Sequence, residues 1–315
     1  MFYKIVIFIC LNSLLFCNPP PQNPPFGYIA YSTRNVGDDI QAIAAKQFLP
    51  KTNHIPINRE LIASFSSQKK IPTIINGWFM HSRGNGWSWI KKPPKNLWPP
   101  SKSLDPIIIS IHITPKFLSN ALSPEGIKYL RKHSPIGARD RYTLAKLQEK
   151  NIPSYFSGCL TLTLTSSYPE REEVIYAVDI DSACLRALEK YTRCRVVRLT
   201  HVGIPLTEFN ATNYKQRLLY AKKFLDKYQK AKCVITTRLH AALPCLAYET
   251  PVLFIGGSDA RYGGLKELLR SCTKEEFING DFDFNFDDPP ENPKDYLPIR
   301  ENLIKTVKKW VASKK

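Results

Sequence analysis

From residue 26 the chain alternates short apolar runs with longer stretches whose apolar positions recur at helical spacing, the rhythm of an α/β layered protein. In the first half this predicts strands over 27–32, 73–76, 107–113, 136–138 and 154–157, with helices over 36–48, 124–132 and 141–150. Segment 78–100 has no period. Tryptophan, glycine and proline crowd it, and it reads as a long loop of the kind that carries function.

The pattern starts afresh at Glu173. Strands are predicted over 174–179, 195–199, 233–236 and 252–255, helices over 182–190, 214–228, 239–248 and 299–309, and a short helix over 265–269. Two successive β/α sets of similar size predict two doubly wound sheets with a hinge over 164–173. The domains are then 26–165 and 173–297, both Rossmann-like, with a last helix within 298–315. In open parallel sheets ligands bind outside the carboxyl ends of the strands, so the residues just after each strand hold the candidate chemistry.

The N-terminus departs from this rhythm. Residues 1–17 carry one basic residue, Lys4, and then a 13-residue apolar run, 5–17, followed by a proline-rich linker over 18–25. The run is short for a bilayer span and fits the apolar region of a signal peptide or a signal anchor; a buried first strand of a cytosolic protein is the other reading. An exported or membrane-associated protein is the expectation, and the sequon Asn210-Ala211-Thr212 matters only on a eukaryotic secretory route.

Composition narrows the partners. With 45 Lys and Arg against 27 Asp and Glu, the formal net charge is +18, which favours anionic substrates, acidic glycans or membrane surfaces. A solvated, lysine-rich surface accounts for the same number. The charges are spread without a dense basic block and no zinc-finger or RRM signature occurs, so nucleic acid is not expected. Six cysteines follow the leader (159, 184, 194, 233, 245 and 272) with no C-x-x-C pair or metal-ligand spacing, so no metal site is expected. Cys233 and Cys245 read as small apolar core residues.

Four constellations follow predicted strands. Asn35-Val36-Gly37-Asp38-Asp39 opens a helix, where free N–H groups and the positive dipole end favour an anion, although Asp38 and Asp39 also suit ordinary capping. It is no G-x-G-x-x-G, so a nicotinamide cofactor is not suggested. Pro135-Ile136-Gly137-Ala138-Arg139-Asp140-Arg141 places Arg139 where its fork can hold a carboxylate or phosphate, or form a surface pair with Asp140. Thr236-Thr237-Arg238-Leu239-His240 brings hydroxyls, a permanent cation and a group titrating near neutrality to one turn, a composition suited to binding a doubly charged anion and moving a proton beside it. Gly256-Gly257-Ser258 permits close backbone approach to a ligand or makes a tight turn; Arg261 and Tyr262 stand near it. His112, ending its strand, is a further candidate facing the cleft.

These stretches, in order and spacing, resemble the polysaccharide pyruvyl transferase family across about residues 27–257. The carriers are Tyr31-Ser32-Thr33-Arg34-Asn35-Val36-Gly37-Asp38-Asp39-Ile40-Gln41, Pro135-Ile136-Gly137-Ala138-Arg139-Asp140, Phe156-Ser157-Gly158-Cys159-Leu160-Thr161-Leu162-Thr163 and Thr237-Arg238-Leu239-His240-Ala241-Ala242. The resemblance implies a GT-B-like fold in which two Rossmann-like halves clamp substrates between them and the last helix packs back across the hinge. It also implies transfer of pyruvyl from phosphoenolpyruvate to a pair of sugar hydroxyls, giving a pyruvate ketal and phosphate. No cofactor is implied beyond the phosphoenolpyruvate donor, and the acceptor is a sugar or polysaccharide. In that family the Arg and His of the Arg-Leu-His motif serve donor binding and proton transfer, here Arg238 and His240. The donor carries a carboxylate and a phosphate, so Arg139 joins Arg238, with Thr237, Gly256 and Gly257 beside them. His240 is the expected acid/base, with Asp38 as base or sugar-orienting group. Asn35, Gly37, His112, Ser157 and Gly158 are expected near substrate. A nucleotide-sugar glycosyltransferase on the same fold, or a non-enzymatic basic glycan-binding protein, are the alternatives.

Overall fold

The protein is described by a computed structural model covering residues 25–51, 54–80, 98–168, 170–203 and 213–314. The leader, most of the proline-rich linker, positions 81–97 of the aperiodic segment and the sequon lie outside the described residues. Two wholly parallel sheets form its frame. The first contains β1 (Phe26–Ala30), β2 (His54–Asn58), β3 (Ile71–Phe79), β4 (Leu104–Ile113), β5 (Ile136–Ala138) and β6 (Ser154–Phe156), in the order β2-β1-β3-β4-β5-β6. The second contains β7 (Val174–Val178), β8 (Arg195–Leu199), β9 (Cys233–Thr236), β10 (Val252–Ile255) and β11 (Arg270–Cys272), in the order β11-β10-β9-β7-β8.

Renumbered within its own half, the second sheet reads 5-4-3-1-2, the same winding as the first with one strand fewer. In each, the strand order reverses direction beside the first strand, between β1 and β3 and between β7 and β9. A crevice opens at such a reversal because the connections leave on opposite faces of the sheet. This is the architecture of two Rossmann-like halves facing across a cleft, a GT-B-like α/β fold.

The helices are α1 (Val36–Lys46), α2 (Leu118–Ala121), α3 (Pro124–Lys132), α4 (Arg141–Gln148), α5 (Ser182–Tyr191), α6 (Tyr214–Lys230), α7 (Leu239–Ala247), α8 (Lys274–Asn279) and α9 (Leu297–Ala312). Their starts follow local chemistry. Asn35, Asp140 and Asp181 each cap a helix by accepting backbone N–H bonds, and Thr273 with Glu276 forms a capping box. The central strands are near-continuous Ile and Val because helices cover both faces of each sheet.

Three strand expectations need correction. β2 and β11 have no counterpart in the sequence reading, and β3 runs three residues past its expected end, so Trp78 and Phe79 belong to a strand. β2 carries Pro56 and is an edge strand, where a missing N–H is tolerated. The short helix expected over 265–269 is a 3-10 turn at Lys266–Leu268.

One hydrophobic core runs through both halves, joining Ile40, Ile75 and Ile111 of the first to Tyr228, Leu243 and Phe254 of the second. A smaller cluster, including Ile175, Leu188, Ile235 and Phe277, fills the outer face of the second sheet. Helix α7 is apolar all round and almost wholly buried, as a helix packed between two bodies must be. Helix α9 crosses from one half to the other. Arg300 donates to the carbonyls of Ala247 and Leu164, Trp310 packs edge-on against Phe26, and Lys314 pairs with Asp105 at 2.6 Å. Among the described residues no helix is long and apolar enough to cross a membrane.

Candidate active site

The two reversal points face each other, and their strand ends wall a cleft of about 520 Å³ that opens to solvent. The first half contributes Asn35, Trp78 and Arg139; the second contributes His201, Thr237, Arg238, His240, Arg261 and Tyr262. Backbone joins the halves at its base, with Asn35 bridging Val202 and the Val36 N–H donating to the His201 carbonyl at 2.9 Å.

Helix α1 and the turn before α7 meet here because Gly37 has no side chain. A Cβ at that position would lie 3.1 Å from both Cβ and Nδ1 of His240 and 3.1 Å from Asn35 Oδ1. The glycine therefore serves the approach of an imidazole from the opposite half. His240 is part-buried, and its Nε2 is enclosed without a hydrogen-bond partner among the described residues. Burial, and then the neighbouring groups Arg139, His201, Arg261 and Arg238, hold its pKa well below the usual histidine value. At pH 7 it is a neutral imidazole.

The cations around it are held unequally. Arg139 is 2% exposed, yet among the described residues it donates only to Gln41 Oε1 at 3.3 Å, its Nε lies 3.9 Å from Asp140 Oδ2, and that Nε makes no hydrogen bond. Arg238 is a third exposed and donates through Nε to Asp179 Oδ2 at 2.8 Å. Arg261 pairs with Asp259 at 2.9 Å and lies over the rings of Trp78 and Tyr262, with centroid distances of 5.5 and 5.0 Å. Three guanidiniums from both halves thus surround one neutral imidazole. Positive charge focused in a cleft between two walls selects a multiply charged anion.

Asp179, not anticipated from sequence, organises the second-half wall. It follows β7 with φ of +52°, accepts the Thr200 hydroxyl and the His201 N–H through its carboxylate besides Arg238, and its carbonyl accepts the Thr237 hydroxyl. A non-glycine residue in the left-handed region costs energy and persists where the surroundings fix it. His201 is also new. It is buried, 2.5 Å from the Tyr228 hydroxyl, and burial pulls its pKa down to about 4. Asp179 was hidden as the last residue of a predicted strand, and His201 stands two residues past the end of one.

Other expected site residues fall elsewhere. Asp38 does not line the cleft. It is 1% exposed and accepts from Thr33 and Gln41, with Arg59 at 3.7 Å, so it braces the amide that holds Arg139. Burial enclosed it as soon as α1 packed inward. Gly256 packs against Phe254 and Gly257 faces open space; neither lines the cleft, and the loop they begin delivers Arg261. Ser157 donates to the carbonyls of Ala138 and Gly158, while Gly158, at φ of +68°, gives room to Ile299. The Arg139–Asp140 pairing expected at the surface is buried instead.

Asp140 also caps α4 through Oδ1 and accepts from His112 Nδ1 at 2.6 Å. His112 is 3% exposed, and burial lowers its pKa. Among the described residues no group of three His, Cys, Asp or Glu side chains is placed to hold a metal ion.

Comparison with known proteins completes the site. None of the curated proteins matches the chain. Among solved structures, an S. aureus MnaA–UDP co-structure aligns with a TM-score of 0.44 at 10% identity, covering 92% of this chain and 97% of that one. The polysaccharide pyruvyl transferase family matches residues 35–259, from the cap of α1 to the loop after β10. That span takes in Asn35, Trp78, Arg139, His201, Arg238 and His240, and the chain belongs to the polysaccharide pyruvyl transferase family, a family of transferases.

Proposed function

We propose that this protein transfers the pyruvyl group of phosphoenolpyruvate to two hydroxyls of a sugar, forming a cyclic ketal and releasing phosphate. The observation that carries the reading is the convergence of Arg139, Arg238 and Arg261 on the neutral imidazole of His240. Phosphoenolpyruvate brings a carboxylate and a phosphate, and planar guanidinium forks match both.

The same charges explain how His240 acquires a proton. Three arginines depress its pKa; a bound anion neutralises them and raises it. His240 then delivers the proton to C3 of the enol, leaving positive charge at C2. One sugar hydroxyl attacks C2 and loses its proton, the C2–O bond to phosphate breaks, and the second hydroxyl closes the ring as its proton leaves. Of the two hydroxyl protons released, one balances the proton given to C3 and the other leaves with hydrogen phosphate. Donor and acceptor proton transfers are needed on different atoms, which sets a demand for more than one acid/base group.

The test is phosphate release from phosphoenolpyruvate by the full chain, with methyl galactosides and mannosides as acceptors, beside His240→Ala. Acceptor-dependent release that falls at least about 100-fold in the variant supports the reading. No release, together with no thermal stabilisation by phosphoenolpyruvate, overturns it.

A further inference from the structure

We infer that His112, oriented by Asp140, is the base that takes the proton from the attacking sugar hydroxyl. The inference rests on the pyruvyl-transfer reading above and assigns its second proton-transfer group.

The sequence of β4 is unusual where it reaches the cleft. Ile75 of β3 pairs with Ile108 of β4, but Gly77 pairs with Ile111, so β4 carries one extra residue over that step. The bulge includes Ser110, in the left-handed region at φ of +57°. One extra residue reverses which face each later side chain occupies. The bulge therefore decides the side on which His112 emerges. Its buried backbone amide is not left open: Ser110 N–H donates to Ser157 Oγ at 3.1 Å. Opposite, Gly77 has φ of +110°, and a Cβ there would collide with the Tyr31 hydroxyl. Ser157 and Gly77 thus support a distortion whose visible product is the placement of His112.

That placement has the features of a base. Asp140 Oδ2 accepts from Nδ1 at 2.6 Å, with the Thr143 hydroxyl 3.3 Å from the same nitrogen. An ionised carboxylate only accepts, so the proton sits on Nδ1 and Nε2 presents its lone pair. Among the described residues Nε2 has no hydrogen-bond partner, and it is not sealed off as His240 Nε2 is. His112 is not itself among the residues that line the cleft; its ring lies 6.3 Å from that of Trp78, which is, and 6.4 Å from that of Tyr142. Aromatic walls beside an imidazole suit the apolar face and hydroxyl edge of a sugar ring. Asp140 Oδ2 is also the oxygen 3.9 Å from Arg139 Nε, so one carboxylate fixes the base relative to a donor-binding cation.

The chemistry balances within the ketal reaction. His112 Nε2 takes the hydroxyl proton as the sugar oxygen bonds to C2, while His240 supplies the proton at C3. Asp140 is a positioning residue that keeps the tautomer.

The experiment measures kcat and KM for both substrates, phosphoenolpyruvate affinity and the kcat–pH profile in wild type, His112→Gln, His112→Ala and Asp140→Asn. Asparagine at 140 retains the cap of α4. The expected result is a 100-fold or greater loss of kcat in both His112 variants, with phosphoenolpyruvate affinity within threefold of wild type. The acid limb of the profile disappears in His112→Gln, and added imidazole restores part of the rate in His112→Ala. Asp140→Asn shifts that limb and lowers kcat by a smaller factor. Wild-type turnover with an unchanged kcat in His112→Gln, or a donor affinity that falls with kcat, overturns the assignment of His112 alone. A wild-type protein that neither binds phosphoenolpyruvate nor releases phosphate from it overturns the transfer reading and this assignment with it. If His112→Ala does not fold, the glutamine variant decides.

Discussion

Two arginines on opposite sides of the same helix show how this protein divides structure from chemistry. Arg217, on α6, reaches across to α1 and grips both oxygens of Asp39 at 2.9 and 2.8 Å, with the Thr33 carbonyl also at 2.8 Å. Arg139 is as deeply buried, yet holds one amide oxygen at 3.3 Å and leaves its Nε unbonded. A buried charge held in this way by a carboxylate and a carbonyl of the opposite half fastens the halves together. A buried charge left short of partners is costly without a ligand, and its surroundings lie open to an anion. The contrast teaches that a buried arginine is read from its partners and not from its burial.

The sharpest way to break the comparison is to remove the partner of the satisfied arginine. Asp39→Ala leaves Arg217 buried without its carboxylate, and breaking a buried pair in this way costs about 3–5 kcal/mol. The variant is expected to lose that much stability in urea denaturation. A loss below about 1 kcal/mol would show that the pair does not fasten the two halves.

The under-partnered arginine should behave in the opposite sense. Arg139→Met removes a cation with few bonds to lose, so stability is expected to stay within about 1 kcal/mol of wild type. Donor affinity should fall about 10–100-fold, the worth of one lost charge-assisted contact of about 1.5–3 kcal/mol. Calorimetric titration with phosphoenolpyruvate, paired with thermal denaturation, separates the two quantities. Large destabilisation with unchanged affinity would make Arg139 a structural residue like Arg217.

How far the sequence reveals this division depends on which signal a residue carries. Strands such as β4, β9 and β10 announce themselves by runs of Ile, Val and Leu, because they are buried on both faces. β2, with His54 and Pro56, lacks that signal because an edge strand is not under the same demand. At the site, Arg139, Arg238, His240, Thr237 and Asn35 were legible because each follows a strand and begins a helix, and all five reach the cleft. Asp38 has the same address but faces inward, since α1 turns its acidic first turn toward Thr33 and Arg59. Local position gives the end of the sheet, not the side of the helix. Trp78 was hidden in a segment read as loop, and Asp179 in one read as strand, so neither stood out as a strand-end residue.

Gly37 offers a subtler test, because it bears on the distance between the two halves and not on any charge. A Cβ there falls 3.1 Å from His240 Cβ and Nδ1, tighter than ordinary contact, so alanine forces the imidazole or the helix to move by a few tenths of an ångström. Overpacking of this kind costs about 1–3 kcal/mol. Gly37→Ala is expected near the lower end of that range and to reduce kcat about tenfold through misplacement of His240. Unchanged kcat with reduced stability would remove Gly37 from the account of the site.

The smallest effect is the one most specific to the cations around His240. Burial and the charges of Arg139, Arg261 and Arg238 keep His240 neutral at pH 7. An anion that neutralises those arginines raises its pKa, so binding takes up a proton whenever the pH lies between the free and bound values. The sign is fixed: affinity is greatest below the free-state pKa and falls as pH rises through the bound one, by at most tenfold per pH unit for a single proton. Titration of phosphoenolpyruvate at pH 7 in buffers of different ionisation enthalpy measures that uptake directly. A fractional proton taken up in wild type and absent in His240→Ala would place the proton on His240. His201, whose pKa lies at about 4, stands too far below pH 7 to supply it unless the anion moves it by several units. Proton release on binding, or uptake that survives in the variant, would mean that the arginines do not control the imidazole, and the contrast between Arg139 and Arg217 would then be one of packing alone.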